Sequence, residues 1–85
     1  MLGVLEEGLR KLGVEVRIVD IPSDARVQGG LCTIRGARVV LVSAMAPPAE
    51  RISILVRALA SLDSESIYLP PAVRELLERA RPKNP

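Results

Sequence analysis

Few side chains in this sequence can do covalent or acid–base chemistry, and those present do not combine. Histidine is absent, and the one thiol, Cys32, lies between Leu31 and Thr33 in an apolar run with only Arg35 nearby to activate it. That setting reads as a structural cysteine, small and hydrophobic. The two lysines, Lys11 and Lys83, fall near the ends of expected helices, in solvent. Asp20, Ser23 and Asp24 form an acidic corner whose residue types suit turn capping better than the weak holding of a hard cation. Asp63 and Glu65 bring carboxylates close together without a base to pair with them. A serine or cysteine nucleophile needs such a base, and a zinc site needs histidine or several thiolates. The expectation is therefore no catalytic residue, no metal, no cofactor, no small-molecule substrate and no enzyme activity.

Arginine remains. It supplies ten of the 12 Lys+Arg, set against 10 Asp+Glu for a net charge of +2, with acids and bases alternating through most of the chain. Arg35, Arg38, Arg51 and Arg57 are the candidate interaction residues, because a hairpin tip and the following helix adjoin in sequence. Arg79, Arg81 and Lys83 form a modest basic cluster, suited to the negative pole of a helix end. With Tyr68 as the only aromatic, there is no platform on which bases could stack. An arginine-dependent nucleic-acid-associated regulatory protein is accordingly the alternative reading. The first reading is a non-enzymatic interaction or assembly module. The arginine preference and seven prolines suit a thermophile, although GC-rich codon usage accounts for the former equally well.

One segment has the outline of a metal-binding helix. From Arg38 to Leu62 a strand leads through a proline-containing loop into a helix containing RISILVRALA, Arg51 to Ala60. This resembles the ImmA/IrrE family of zinc metallopeptidases, in which a strand precedes a helix of pattern R-F-T-L-A-H-E-L-G-H. Arg51, Ser53, Ile54 and Leu59 occupy compatible positions. The positions of the zinc-binding histidines fall on Val56 and Ala60, and that of the general-base glutamate on Arg57. Valine and alanine cannot ligate zinc, and arginine cannot take a proton from water. The resemblance, over about a third of the chain, implies a catalytically dead relative and carries over no site role.

The elements that hold these residues follow from periodicity. Leu2, Leu5, Leu9 and Leu12 give residues 2–12 a single helical stripe, closed by Gly13. Glu6 with Arg10 and Glu7 with Lys11 are i,i+4 pairs, and close packing is the expected reason for Gly3 and Gly8. Val14, Val16 and Ile18 alternate with Glu15 and Arg17, predicting a strand with one wet side that Pro22 ends. Residues 23–28 are a polar loop. Gly29-Gly30 then opens a strand over 31–35, and Gly36 turns it into a third strand over 38–43. Val39 to Val42 is apolar on both faces, which predicts the central strand. Pro47-Pro48 launches a second helix with Ile52, Leu55, Val56, Leu59 and Leu62 inward, and Pro70-Pro71 a third with Val73, Leu76, Leu77 and Ala80 inward. The fold class is α+β: a small single-layer antiparallel sheet of about three strands with helices on one face, in the order α-β-β-β-α-α.

Eighty-five residues make one domain, residues 1–85, with 82–85 expected as a disordered tail. A chain of this size buries only about 60–65% of its unfolded surface. The usual supplements are disulfides, a metal or a partner. Cys32 alone cannot form an internal disulfide, and a 48% hydrophobic content with 1% aromatic leaves more aliphatic material than a small monomer easily hides. Self-association, as a homodimer, or a protein partner is expected. No apolar run is long enough to span a membrane, and neither export signal nor disulfide pair is evident, so the expected location is the cytoplasm.

Overall fold

The computed structural model describes residues 1–22 and 29–81, and the expected polar loop at 23–28 and tail at 82–85 lie outside them. The elements are α1 (Leu2–Lys11), β1 (Glu15–Val19), β2 (Gly29–Ile34), β3 (Ala37–Ser43), α2 (Pro48–Ala60) and α3 (Pro71–Ala80). This is the α+β order read from the sequence. No helix among the described residues is long and apolar enough to cross a membrane.

Local chemistry sets the boundaries. α1 closes in a Schellman motif: Gly13 takes φ +80°, its N–H donates to Arg10 O at 2.9 Å, and the Val14 N–H donates to Leu9 O at 3.0 Å. The β2–β3 hairpin places Ile34 opposite Ala37, so Arg35 and Gly36 form a two-residue turn, with φ of 52° and 81°. Positive φ at both positions is the twist-matched primed geometry, in which glycine is easy and arginine strained. α2 and α3 both begin with proline in the first turn, where no N–H is needed.

The strand order is β1-β3-β2, with β3 central as its doubly apolar run predicts. β2 pairs with β3 antiparallel, from Gly29 opposite Val42 to Ile34 opposite Ala37. β1 pairs with β3 in parallel, from Glu15 opposite Val39 to Val19 opposite Ser43. The sheet is therefore mixed, a correction to the wholly antiparallel sheet read from the sequence. Alternation of side chains fixes which face of a strand is apolar but not the direction in which the strand runs.

One core unites the two layers. Leu5 and Leu9 from α1, Val40 and Val42 from β3, Leu55 and Leu59 from α2, and Val73 and Leu77 from α3 pack together, joined by Val14 and Leu69. α1 lies over β1, α2 lies over β2 and β3, α1 packs beside α2, and α3 packs on α2. Gly8 is buried where a Cβ would come within 3.1 Å of Leu69 and 3.4 Å of Leu59, so close packing accounts for it. Gly3 has no such neighbour, contrary to the sequence reading. On the surface of α1, Arg10 pairs with Glu7 at 2.9 Å rather than with Glu6. A Cβ on Gly29 would collide with the Leu41 carbonyl oxygen, and its φ of 155° is one that other residues avoid.

These contrasts generate a stability series. Gly3→Ala should raise unfolding free energy by roughly 0.5–1 kcal/mol through helix propensity. Gly29→Ala should lower it by more than about 1 kcal/mol, and Leu59→Ala by about 2–5 kcal/mol. Urea unfolding monitored by circular dichroism reads all three. A Gly29→Ala protein as stable as the original would refute the close approach at Leu41.

Candidate functional site

The arginines singled out by sequence have separate fates. Arg51 is half-buried and its guanidinium is spent within the fold: Nε donates to Ala46 O at 2.9 Å and Nη2 to Ala44 O at 3.0 Å. These bonds satisfy carbonyls of the β3–α2 turn, which Met45 N–H tightens by donating to Ser43 Oγ at 3.2 Å. Arg35 and Arg38 are exposed at the hairpin. Arg57 is exposed on α2 and borders a groove with Gly29, Gly30 and Ser61, at the opposite end of β2. At about 3.3 Å per residue, the length of β2 separates it from the turn by roughly 20 Å. The fold thus brings Arg35 and Arg38 together and leaves Arg57 apart. At the C-terminal end, Arg79 pairs with Glu75 at 3.3 Å and Arg81 with Glu78 at 3.2 Å. Lys83 lies outside the described residues, as do Ser23 and Asp24 of the acidic corner.

One arginine that the sequence reading passed over organises a larger region. Arg74 donates from Nη1 to Ser64 Oγ at 3.1 Å, and from Nη2 to Ser64 O at 3.0 Å and Ile67 O at 2.7 Å. Ser64 is fully buried. The guanidinium thereby ties the connector between α2 and α3 to α3, and sets Leu69 into the core against Gly8. The available signal was an arginine flanking the Val73 and Leu77 stripe, within reach of a connector rich in unpaired carbonyls.

On α2, the positions aligned with zinc-binding histidines are used for packing: Val56 is buried in the core and Ala60 is half-buried against it, while Arg57 points to solvent. Among the described residues no three His, Cys, Asp or Glu side chains come together.

The feature that stands out is the second face of the sheet. Strand register places Val16, Leu31, Val40 and Val42 on the helix-covered side, and each belongs to the core or packs against it. Val19, Gly30, Cys32, Ile34, Val39 and Leu41 alternate onto the other side. No described helix or strand covers them. Val39 is 1% exposed yet stands apart from the core, sheltered by its cross-strand neighbours Glu15 and Cys32. Ile34 is 38% exposed, and Cys32, Leu41 and Val19 are half-buried. Ile21, Gly30, Cys32 and Leu41 border a shallow hollow of about 320 Å³ on this side. The charged residues of this face are Glu15 and Arg17, joined by an ion pair at 2.8 Å. The arrangement is an apolar ladder bordered at the β1 edge by one ion pair.

No protein-family model matches this chain, and no curated protein or solved structure matches it significantly.

Arg74→Ala should cost roughly 2–4 kcal/mol, since charged hydrogen bonds are lost and the buried Ser64 groups are left without partners. Arg51→Ala should cost about 1–2 kcal/mol. Thermal unfolding checks both, and a neutral Arg74→Ala would show that the connector is held by apolar packing alone.

Proposed function

We propose that this chain is a non-enzymatic assembly module that associates with copies of itself through the open face of its sheet. The observation that carries the proposal is the apolar ladder Val19, Cys32, Ile34, Val39 and Leu41 on the side that no described helix or strand covers. A face of alternating aliphatic residues is the inner face of a β-sandwich, whose sheets pack about 10 Å apart. A second copy supplies the same complementary surface, and it supplements the thin core of a small chain. In this reading the four exposed or engaged arginines, Arg35, Arg38, Arg51 and Arg57, serve solubility and turn geometry.

The ImmA/IrrE resemblance enters the proposal as ancestry. A dead relative keeps the strand and helix, and fills the former ligand positions with the core residues Val56 and Ala60.

Light scattering across a concentration series tests the proposal. The native chain should give a mass above the monomer at micromolar concentration, and Ile34→Glu and Leu41→Glu should lower that mass while keeping the native circular dichroism. A native chain that stays monomeric up to millimolar concentration, with no response to either substitution, would end it.

A further inference from the structure

The open face is a small contact. Three strands at about 4.8 Å spacing and five residues at about 3.4 Å give a projected footprint of roughly 250 Å². A second contact would enlarge the assembled area toward that of standard interfaces, and β1 offers one.

β1 is an edge strand, and no described strand pairs with its outer side. Val19 O accepts from Ala44 N at 2.9 Å, so it points toward β3. By alternation, the N–H and C=O groups of Val16 and Ile18 point away from the sheet. Ile18 is 51% exposed although it shares the helix-covered side with Val42. A groove of about 490 Å³ runs along this edge beneath α1, lined by Glu6, Arg10, Val14, Val16 and Ile18 among others. The strand has no proline and no lysine, and the two charges it carries, Glu15 and Arg17, are of opposite sign.

We infer that β1 pairs antiparallel with β1 of a second copy, with Val16 on the two-fold axis. The register follows from charge. Centred on Val16, each Glu15 stands opposite the partner's Arg17, and each Ile18 opposite the partner's Val14, inside its groove. A shift to Arg17 would set two arginines face to face, and like charges directly opposed are destabilising. A shift to Ile18 would place Val16 against the partner's Asp20. Backbone bonding agrees with the Val16 register. Val16 exchanges both of its bonds with the partner's Val16, and the Ile18 N–H donates to the partner's Val14 O, while the Val14 N–H is already spent on Leu9 O at 3.0 Å. The result is a continuous sheet running β2-β3-β1 into the partner's β1-β3-β2, with the two open faces side by side. Its two-fold stands perpendicular to the sheet, whereas that of face-to-face packing lies in the sheet plane. With the two axes intersecting, the two contacts close a four-copy assembly of dihedral symmetry.

Ile18→Lys separates this contact from the face-to-face association proposed above, because Ile18 lies on the helix-covered side at the edge. It should halve the assembled mass and leave the open face unchanged. Charge exchange between two further variants tests the register. Glu15→Arg alone sets two guanidinium groups against each other across the edge, and Arg17→Glu alone sets two carboxylates together. Each should weaken the edge contact about tenfold or more and halve the assembled mass. Mixing the two variant proteins should restore the mass, as a heterodimer in which opposite charges face across the edge. A role of the Glu15–Arg17 pair inside one chain cannot produce that rescue, because each variant chain carries two like charges. Sedimentation equilibrium of each variant and of the mixture reads the result, with native mass spectrometry confirming heterodimers. If the native chain assembles but Ile18→Lys loses no mass, the edge pairing is wrong while the face contact stands. If Ile18→Lys loses mass but the mixture of charge variants fails to recover, the Val16 register is wrong. If the edge variants behave as described but Leu41→Glu changes nothing, the edge pairing stands and the face contact is wrong.

Discussion

β3 sets the terms of this structure. Its run Val39-Val40-Leu41-Val42 is apolar on both sides, yet α1 and α2 lie together on the side of Val40 and Val42. Two sides of a strand cannot both be buried by one layer of helices. With α3 stacked on α2, no described helix or strand covers the Val39 and Leu41 side. Central placement of β3 follows from the same pattern, since a doubly apolar strand at an edge would lose shelter from its neighbours. The free edge at β1 and the open ladder beside it are consequences of this single allocation.

The polar side chains support that allocation. Arg74 holds the α2–α3 connector closed through Ser64 and Ile67, which keeps α3 on α2 and away from the open face. Arg51 closes the β3–α2 turn through Ala44 and Ala46, fixing where α2 lands on the sheet. Among the described residues, no buried side-chain polar atom lacks a hydrogen-bond partner. The guanidinium groups that reach the interior are thus spent on backbone carbonyls, where their planar fork holds more than one acceptor.

Much of this was legible in the residues. Gly13 and Gly36 marked the positive-φ turns, the prolines marked helix starts, and the doubly apolar run marked the central strand. The direction of β1 was not legible, because side-chain alternation is the same read either way. The exposure of Ile18 was missed because the Val14, Val16 and Ile18 pattern gives a face, while the placement of β1 at the sheet edge leaves that face with a neighbouring strand on one side only. Arg51 was read as a candidate interaction residue and Arg74 was passed over, since hydrogen bonds to acceptors 5 to 10 residues away leave no local pattern. The open face itself was implicit in the surplus of aliphatic residues, but only strand register showed which side chains compose it.

Cys32 provides a direct probe, because it lies on the open face beside Gly30 and Leu41. Its rate of alkylation by a small maleimide, measured in the native chain over a wide range of protein concentration, reports whether that face is covered by other copies. Self-association through the face predicts slow modification at high concentration and a marked acceleration on dilution, as the assembly dissociates. A rate independent of concentration, in a protein that remains folded throughout, would contradict it.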